Sequence, residues 1–452
     1  MSMHGSVGRR FVGRERLTLE SICLPHRALL MKKFRIIAAL WSLLVVPPAA
    51  LGQEPILERR PLTFEALQTL GHDNNLMRLS PEAILPASLS DRASSYSRTR
   101  GFISYEDTWS LQRFRASAGA EALRYDKLSV FDHQAAQIDA RWDWSIGRPW
   151  FGTLEIGAQR FLSPFTEVRP FNGSQVILNM IDRSNVRFSA GVRVTPDWSG
   201  VVGMDRVDRN NSDPSRTSTN LVERGYDAGL RWTPIPDLES ELRWRRIDGE
   251  YSNRVVFDLF GDLIPGLVAD NAYTQDEFTV RAVHDDGGQS RSEGSVGWVR
   301  RAFPNLKGRD FSAPVIRLRY TWRPTVKLSM PIGISREFYS VEQLTSTFSD
   351  TERITLAPTW EMNVKSRLIL QLERQLRTFR GNAGAALGLS AGGLNPNEIR
   401  NDAVNVVGLR LNHEFTRNWF VDADIRSEHR HANLAVFRFD ARVLFVSLRF
   451  VL

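Results

Sequence analysis

The last twelve residues, Ala441 to Leu452, constrain the fold more than any other stretch. Every second residue back from the terminus is apolar, giving Leu452, Phe450, Leu448, Val446 and Leu444, while the intervening set holds Ser447 and Arg449. Side chains two apart share one face of an extended chain, so this segment reads as a strand with one apolar face. The sequence stops with nothing left to cover that face. Lipid fits the need, with the polar face turned to a lumen.

The same alternation recurs throughout. Phe114, Ala116, Ala118, Ala120 and Ala122 oppose Arg115, Ser117, Gly119 and Glu121, and Val186, Phe188, Ala190, Val192 and Val194 oppose Arg187, Ser189, Gly191 and Arg193. Tight turns of Pro, Gly, Asp and Asn chemistry fall near residues 109, 147, 196, 235, 287, 324, 362 and 417. Longer polar loops separate the hairpins. Eight short turns with both termini periplasmic imply 18 strands, because bacterial barrels keep short turns inside and long loops outside. Seventeen strands are read directly, and the weak segment Leu62 to Leu79 supplies the eighteenth. The expected fold is all-β: a porin-like transmembrane antiparallel β-barrel over residues 62–452, behind a cleaved signal peptide.

The leader is read from charge and apolar length. Met31-Lys-Lys-Phe-Arg opens a basic region, Ile36 to Val46 is an apolar core, and Ala50-Leu51-Gly52 is a small-residue cleavage context. Residues 31–52 are therefore the signal peptide, residues 1–30 an upstream extension, and residues 53–61 a periplasmic tail. An uncleaved anchor is the alternative, but eleven apolar residues fall short of the ~20 that span a bilayer as a helix. The leader holds eight Lys or Arg and two Asp or Glu, so the formal charge of +8 falls to +2 without it. That removes the basic face a nucleic-acid binder needs. The one cysteine, Cys23, also leaves with the leader, so the mature chain carries no disulfide framework or thiolate metal site.

Tryptophan placement supports the barrel. Trp109, Trp144, Trp150, Trp198, Trp232, Trp322, Trp360 and Trp419 lie at or near the short turns. Trp favours the headgroup level, so these residues read as an aromatic girdle on the periplasmic side.

The inward rows hold the candidate functional residues: Arg115, Arg141, Arg187, Arg193, Arg231, Arg243, Arg317, Arg319, Arg410 and Arg426, with Asp139, Asp143 and Asp227. Mixed charge keeps a lumen hydrated, and guanidinium forks hold carboxylates or sugar hydroxyls. A wide barrel needs polar filling whatever it carries, so parity alone assigns no single residue a role. Catalytic signals are weak. Glu428-His429-Arg430-His431 falls in a stretch read as an external loop, Asp285-Asp286-Gly287-Gly288 reads as a hairpin turn, and no GxSxG, HExxH, Walker A or GxGxxG sequence follows the leader. No cofactor, metal site or catalytic set is expected.

Gly71-His72-Asp73-Asn74-Asn75-Leu76-Met77-Arg78-Leu79, Gln112-Arg113-Phe114 leading to Arg124-Tyr125-Asp126, Trp142 to Gly147, and Asp440-Ala441-Arg442-Val443 to Phe450 form a set of short motifs. Together they resemble the EpsL-like outer-membrane barrels of exopolysaccharide and exosortase gene clusters. The resemblance implies a part in making or exporting exopolysaccharide, with envelope polysaccharide-secretion proteins as partners. The family often ends in an aromatic residue or an Arg-Phe pair, whereas this chain adds Val451-Leu452.

The leading expectation is thus a wide, Arg-lined outer-membrane conduit for an envelope polysaccharide. Its partners are outer-membrane lipid, the barrel-assembly machinery and the transported polymer or small polar solute. A general or sugar-selective diffusion porin is the alternative, since barrels of 16 to 18 strands leave an aqueous channel. A barrel-embedded hydrolase or lipid-modifying enzyme would need a convergent Ser/His/Asp or Asp/His set, which the sequence does not assemble.

Overall fold

A computed structural model describes residues 61–452, except 167–169, 173–174, 253–254, 258–262, 269, 271, 306–309, 344–345 and 381–398. The segments expected to be the upstream extension and the signal peptide, and residues 53–60 of the expected periplasmic tail, lie outside the described residues.

Eighteen antiparallel strands close on themselves. They are β1 (Leu62–Asp73), β2 (Ser94–Trp109), β3 (Gln112–Tyr125), β4 (His133–Ile146), β5 (Trp150–Leu162), β6 (Met180–Arg193), β7 (Trp198–Asn211), β8 (Leu221–Ile235) and β9 (Leu238–Tyr251). The second half comprises β10 (Tyr273–Asp285), β11 (Ser290–Ala302), β12 (Phe311–Thr325), β13 (Leu328–Gln343), β14, β15 (Ser366–Arg380), β16 (Asn401–Glu414), β17 (Trp419–Ala432) and β18 (Phe439–Val451). β14 is split into Ser346–Leu356 and Thr359–Asn363, and both pieces pair with β13 and β15. Pro358 explains the split, because proline brings no N–H to the ladder. Its carbonyl still accepts the Leu370 N–H at 3.0 Å, and Ala357 N–H donates across to Pro331 O at 3.0 Å.

Closure is made by β1 on β18, from Glu65 opposite Val451 to Asp73 opposite Val443. The buried hydroxyls of Thr69 and Ser447 meet across this seam at 2.8 Å. β1 is hard to read in the sequence because its lipid-facing row alternates Leu62, Phe64 and Leu70 with Gln68 and His72. The Gln68 amide donates to Ser97 Oγ at 2.9 Å and accepts from Thr99 Oγ1 at 2.6 Å, so this polar group is satisfied within the wall.

Elsewhere the outer rows are apolar and exposed toward the short-turn end, as a lipid-facing surface requires, and turn charged toward the long-loop end, where Arg206 pairs with Asp208 and Arg224 with Glu250. Leu318, Tyr320 and Trp322 of β12 stand beside Ile332 and Ile334 of β13, and Leu444, Val446 and Leu448 line β18. The tryptophans expected near the short turns point outward, with Trp198 stacked on Trp232 at 5.8 Å and Trp419 against Phe450 at 4.9 Å. All eight expected short turns are present. Gly147 and Gly287 adopt φ of 61° and 72°, which glycine takes without steric cost. At the second of these turns the Asp286 carboxylate accepts from the backbone N–H groups of Gly288 and Ser290 at 3.1 and 2.8 Å. A closed barrel with an apolar outer band is an outer-membrane protein of a Gram-negative envelope.

The long-loop end has its own core. Met77, Leu79, Leu89, Tyr125, Leu128 and Phe131 are buried together, with Phe165 and Leu178 packed against them. Phe131 and Phe165 are 5.0 Å apart, joining two separate loops. One sequence reading is corrected here: Glu428 to His431 is not a loop but the end of β17. The cause is pairing with β18, where His429 stands opposite Asp440 and hydrogen bonds it.

Candidate functional site in the barrel lumen

Alternation decides which side chains reach the lumen, and register decides which of them meet. All the predicted lumen residues lie on inward rows. They form a charge ladder rather than a row of free arginines. Arg115 and Arg141 share Asp143 at 2.7 and 2.8 Å, Arg141 also reaches Glu155, and Thr153 Oγ1 donates to Asp143 at 3.0 Å. Arg410 holds Asp424 at 2.9 Å, and Arg317 holds Glu337.

The densest part runs across β6 to β11. Arg187 bridges Asp205 and Asp227 at 2.8 and 2.7 Å, and Arg243 reaches Asp227 from its other side at 2.8 Å. Arg245 takes Asp205 at 3.0 Å, Arg231 takes Glu241 at 2.9 Å, and Arg281 joins Glu239 at 3.3 Å to Glu293 at 2.8 Å. Glycines make room for this network: a Cβ at Gly203 would sit 2.7 Å from an Asp227 carboxylate oxygen and 2.9 Å from the Arg187 guanidinium. The Asp227 side chain is 1% exposed, so its charge is held almost wholly by the two arginines.

Three predicted arginines have no carboxylate partner among the described residues. Arg193 donates to the Arg148 carbonyl at 2.7 Å and lies over Phe151. Arg319 and Arg426 make no ion pair among the described residues, and Asp139 makes none either. The expectation of an Arg-lined conduit is therefore modified: most of the cationic charge is cancelled locally, which leaves a hydrated wall of mixed sign.

Sequence reasoning missed the mouth. Arg78 spans Asp73 at 2.8 Å and the inward-facing Glu428 at 3.1 Å, while Arg430 donates to the Thr166 carbonyl at 3.0 Å. The loops carrying Arg78 and Thr166 thus lean over the lumen and narrow its long-loop end. The Gly71 to Leu79 stretch carries part of the family resemblance, but nothing in its spacing shows that it packs against β17.

An outer clamp ties the same loop down. Asp91 accepts from Lys127 Nζ at 2.7 Å and from the backbone N–H groups of Arg92 and Ala93. These contacts, led by the Lys127 hydrogen bond, lower the Asp91 pKa from 3.8 to about 2. A depressed carboxylate contributes stability above its unfolded pKa and loses it as pH falls through the folded one. Amide exchange in residues 76–92, corrected for intrinsic rates, is expected to be steady from pH 7 to about 4 and to accelerate between about 4 and 2. Asp91→Asn should show the fast exchange already at pH 7; equal exchange in both proteins there would refute the clamp.

Among the described residues, no group of three or more His, Cys, Asp or Glu could hold a metal ion.

No family model matches the chain, and no curated protein sequence does. Among solved structures, it is similar to OpdK of Pseudomonas aeruginosa with vanillate, at 9% identity and a TM-score of 0.46, over 86% of this chain and 99% of that one. It is similar to OccK2 (OpdF) of the same organism in complex with glucuronate, at 10% identity and 0.44, over 87% and 96%. It is also similar to a variant of the P. aeruginosa ferric enterobactin receptor PfeA, at 9% identity and 0.42, over 86% and 80%. At these identities and scores the likeness says nothing of what passes through this barrel. Its closure rests on its own strand ladder.

Proposed function

We propose that the barrel is a passive conduit carrying small polar solutes across the outer membrane. The observation that carries this reading is the mixed-charge ladder, which keeps the wall wet without presenting a strong field of one sign. An 18-strand barrel is wide enough for an aqueous channel. Passage of an exopolysaccharide strand is a second use of the same path. It is favoured by the height of the ladder, which runs from Arg113–Glu106 by the β2–β3 turn to Arg78–Glu428 at the mouth.

Arg317 and Arg319 provide the test. They are two apart on β12 and project into one lumen, with Glu337 bound to the first and Glu293 opposite the second in register. Converting both to Glu gathers four carboxylates on one patch and leaves the lipid face untouched. Reconstituted channels are expected to shift severalfold toward cations, because charges lining a pore set which ions it admits. Wild-type barrels that fold but pass no ions would overturn the conduit. The second use has a separate readout: deleting the gene and complementing it at matched membrane levels should lower and restore extracellular polysaccharide. An unchanged yield on deletion would leave the diffusion channel alone standing.

A further inference from the structure

Below the mouth, the lumen wall between β2 and β5 is hollowed although its ladders are unbroken. The inward position Ala135 carries only a methyl group, and the hollow at this part of the wall is about 170 Å³. That is below the ~300–1,000 Å³ typical of sites for larger small molecules, and leaves room for a single small ring. The hollow is lined by groups of three kinds.

Phe102 lies across Gly119, where a Cβ would come within 2.3 Å of the ring, and the Arg100 guanidinium rests 4.2 Å from the ring centroid. Phe102 is thereby used to hold Arg100. Arg100 itself has only long contacts, 3.6 Å to Glu121 and 3.4 Å to the Gln137 amide oxygen, which leaves most of its donors available. The Gln137 amide nitrogen and the whole Gln159 amide have no partner among the described residues. Phe161, also on the lining, offers an apolar surface beside them.

We propose that this hollow is a binding subsite for one neutral pyranose ring, a reading that rests on the lumen being a solute path. Sugar hydroxyls each donate and accept, and the wall supplies both functions: donors on Arg100, Gln137 and Gln159, acceptors on Glu121 and Gln159. The C–H surface of a pyranose is apolar and packs on the Phe161 ring. Glu121 offsets Arg100, so a carboxylate gains no net attraction here, and a neutral sugar is preferred to a uronate.

The test reads binding apart from conduction. Folded barrel in detergent is titrated with methyl glucopyranoside, glucuronate and sorbitol, using saturation-transfer NMR, while bilayer conductance is recorded on the same preparations. The glucopyranoside should bind saturably and better than the other two. Gln137→Leu and Phe161→Ala should each weaken it by about tenfold, the loss expected when buried polar or ring contacts are removed. Both variants should keep the folded, heat-modifiable band. Absent binding in wild type, unchanged binding in both folded variants, or preference for glucuronate would each overturn the subsite. A barrel that binds the sugar but passes no current would keep the subsite and sink the conduit; one that conducts without binding would do the reverse.

Discussion

Leu370→Arg is expected to hinder assembly and lower the yield of folded membrane protein, while Gln371→Arg, one residue on, is expected to assemble normally. Leu370 lies on the lipid-facing row of β15 opposite Leu409, in the apolar patch that Leu368, Leu372, Val407 and Leu411 complete. Arg on the lipid face near the midplane costs ~2–4 kcal/mol, a large part of the 5–15 kcal/mol that typically holds a folded protein. Gln371 faces the lumen, where the Arg fork meets water. Heat-modifiable folded protein, measured by electrophoresis of isolated outer membranes, reports the difference. Equal loss in both variants would mean that β15 is assigned to the wrong face.

Asp227→Ala should have the second largest effect. The carboxylate lies between Arg187 and Arg243 and is almost fully enclosed, so its removal leaves two guanidiniums short of a counter-charge. Breaking an enclosed pair in this way costs up to ~3–5 kcal/mol. The lower end applies here, because Arg187 keeps Asp205, Arg243 lies 3.9 Å from Glu241, and both arginines are partly exposed. Urea unfolding from lipid vesicles should show a loss of roughly 2–3 kcal/mol, with folded channels moving toward anions as the cations are released. Adding Arg243→Leu should recover much of the loss. A single variant as stable as wild type would mean that this network contributes nothing to holding the wall.

These two variants mark what the sequence discloses and what it hides. The face that Leu370 takes is legible, since period-two alternation and eight short turns define faces and strand number together. The fate of Asp227 is not, because its partners lie on β6 and β9, and only register places them beside it. The same holds for Arg317 and Glu337, whose strands are joined by a visible turn but whose pairing depends on the ladder. The mouth was least legible. Met77, Phe131 and Phe165 come from three loops, where no periodicity guides the eye, and Glu428 to His431 looked like a loop because it is polar on both faces. The hollow at Ala135 escaped notice for the opposite reason: small residues in a regular strand read as filler.

The Thr69–Ser447 contact has a consequence for how the molecule is made. Its two residues are 378 positions apart, so the join that closes the wall can form only after nearly the whole chain exists. Until then β1 and β18 are raw edges, each offering a row of unpaired N–H and C=O groups that hydrocarbon cannot satisfy. Partial insertion is therefore not a resting point, and the loop-closure entropy of so distant a pairing makes the last step slow. A helper that pairs temporarily with one edge would remove both obstacles. Gln68, Ser97 and Thr99, which satisfy one another on the outer face of the wall, add no further polar demand to that edge once the join is made.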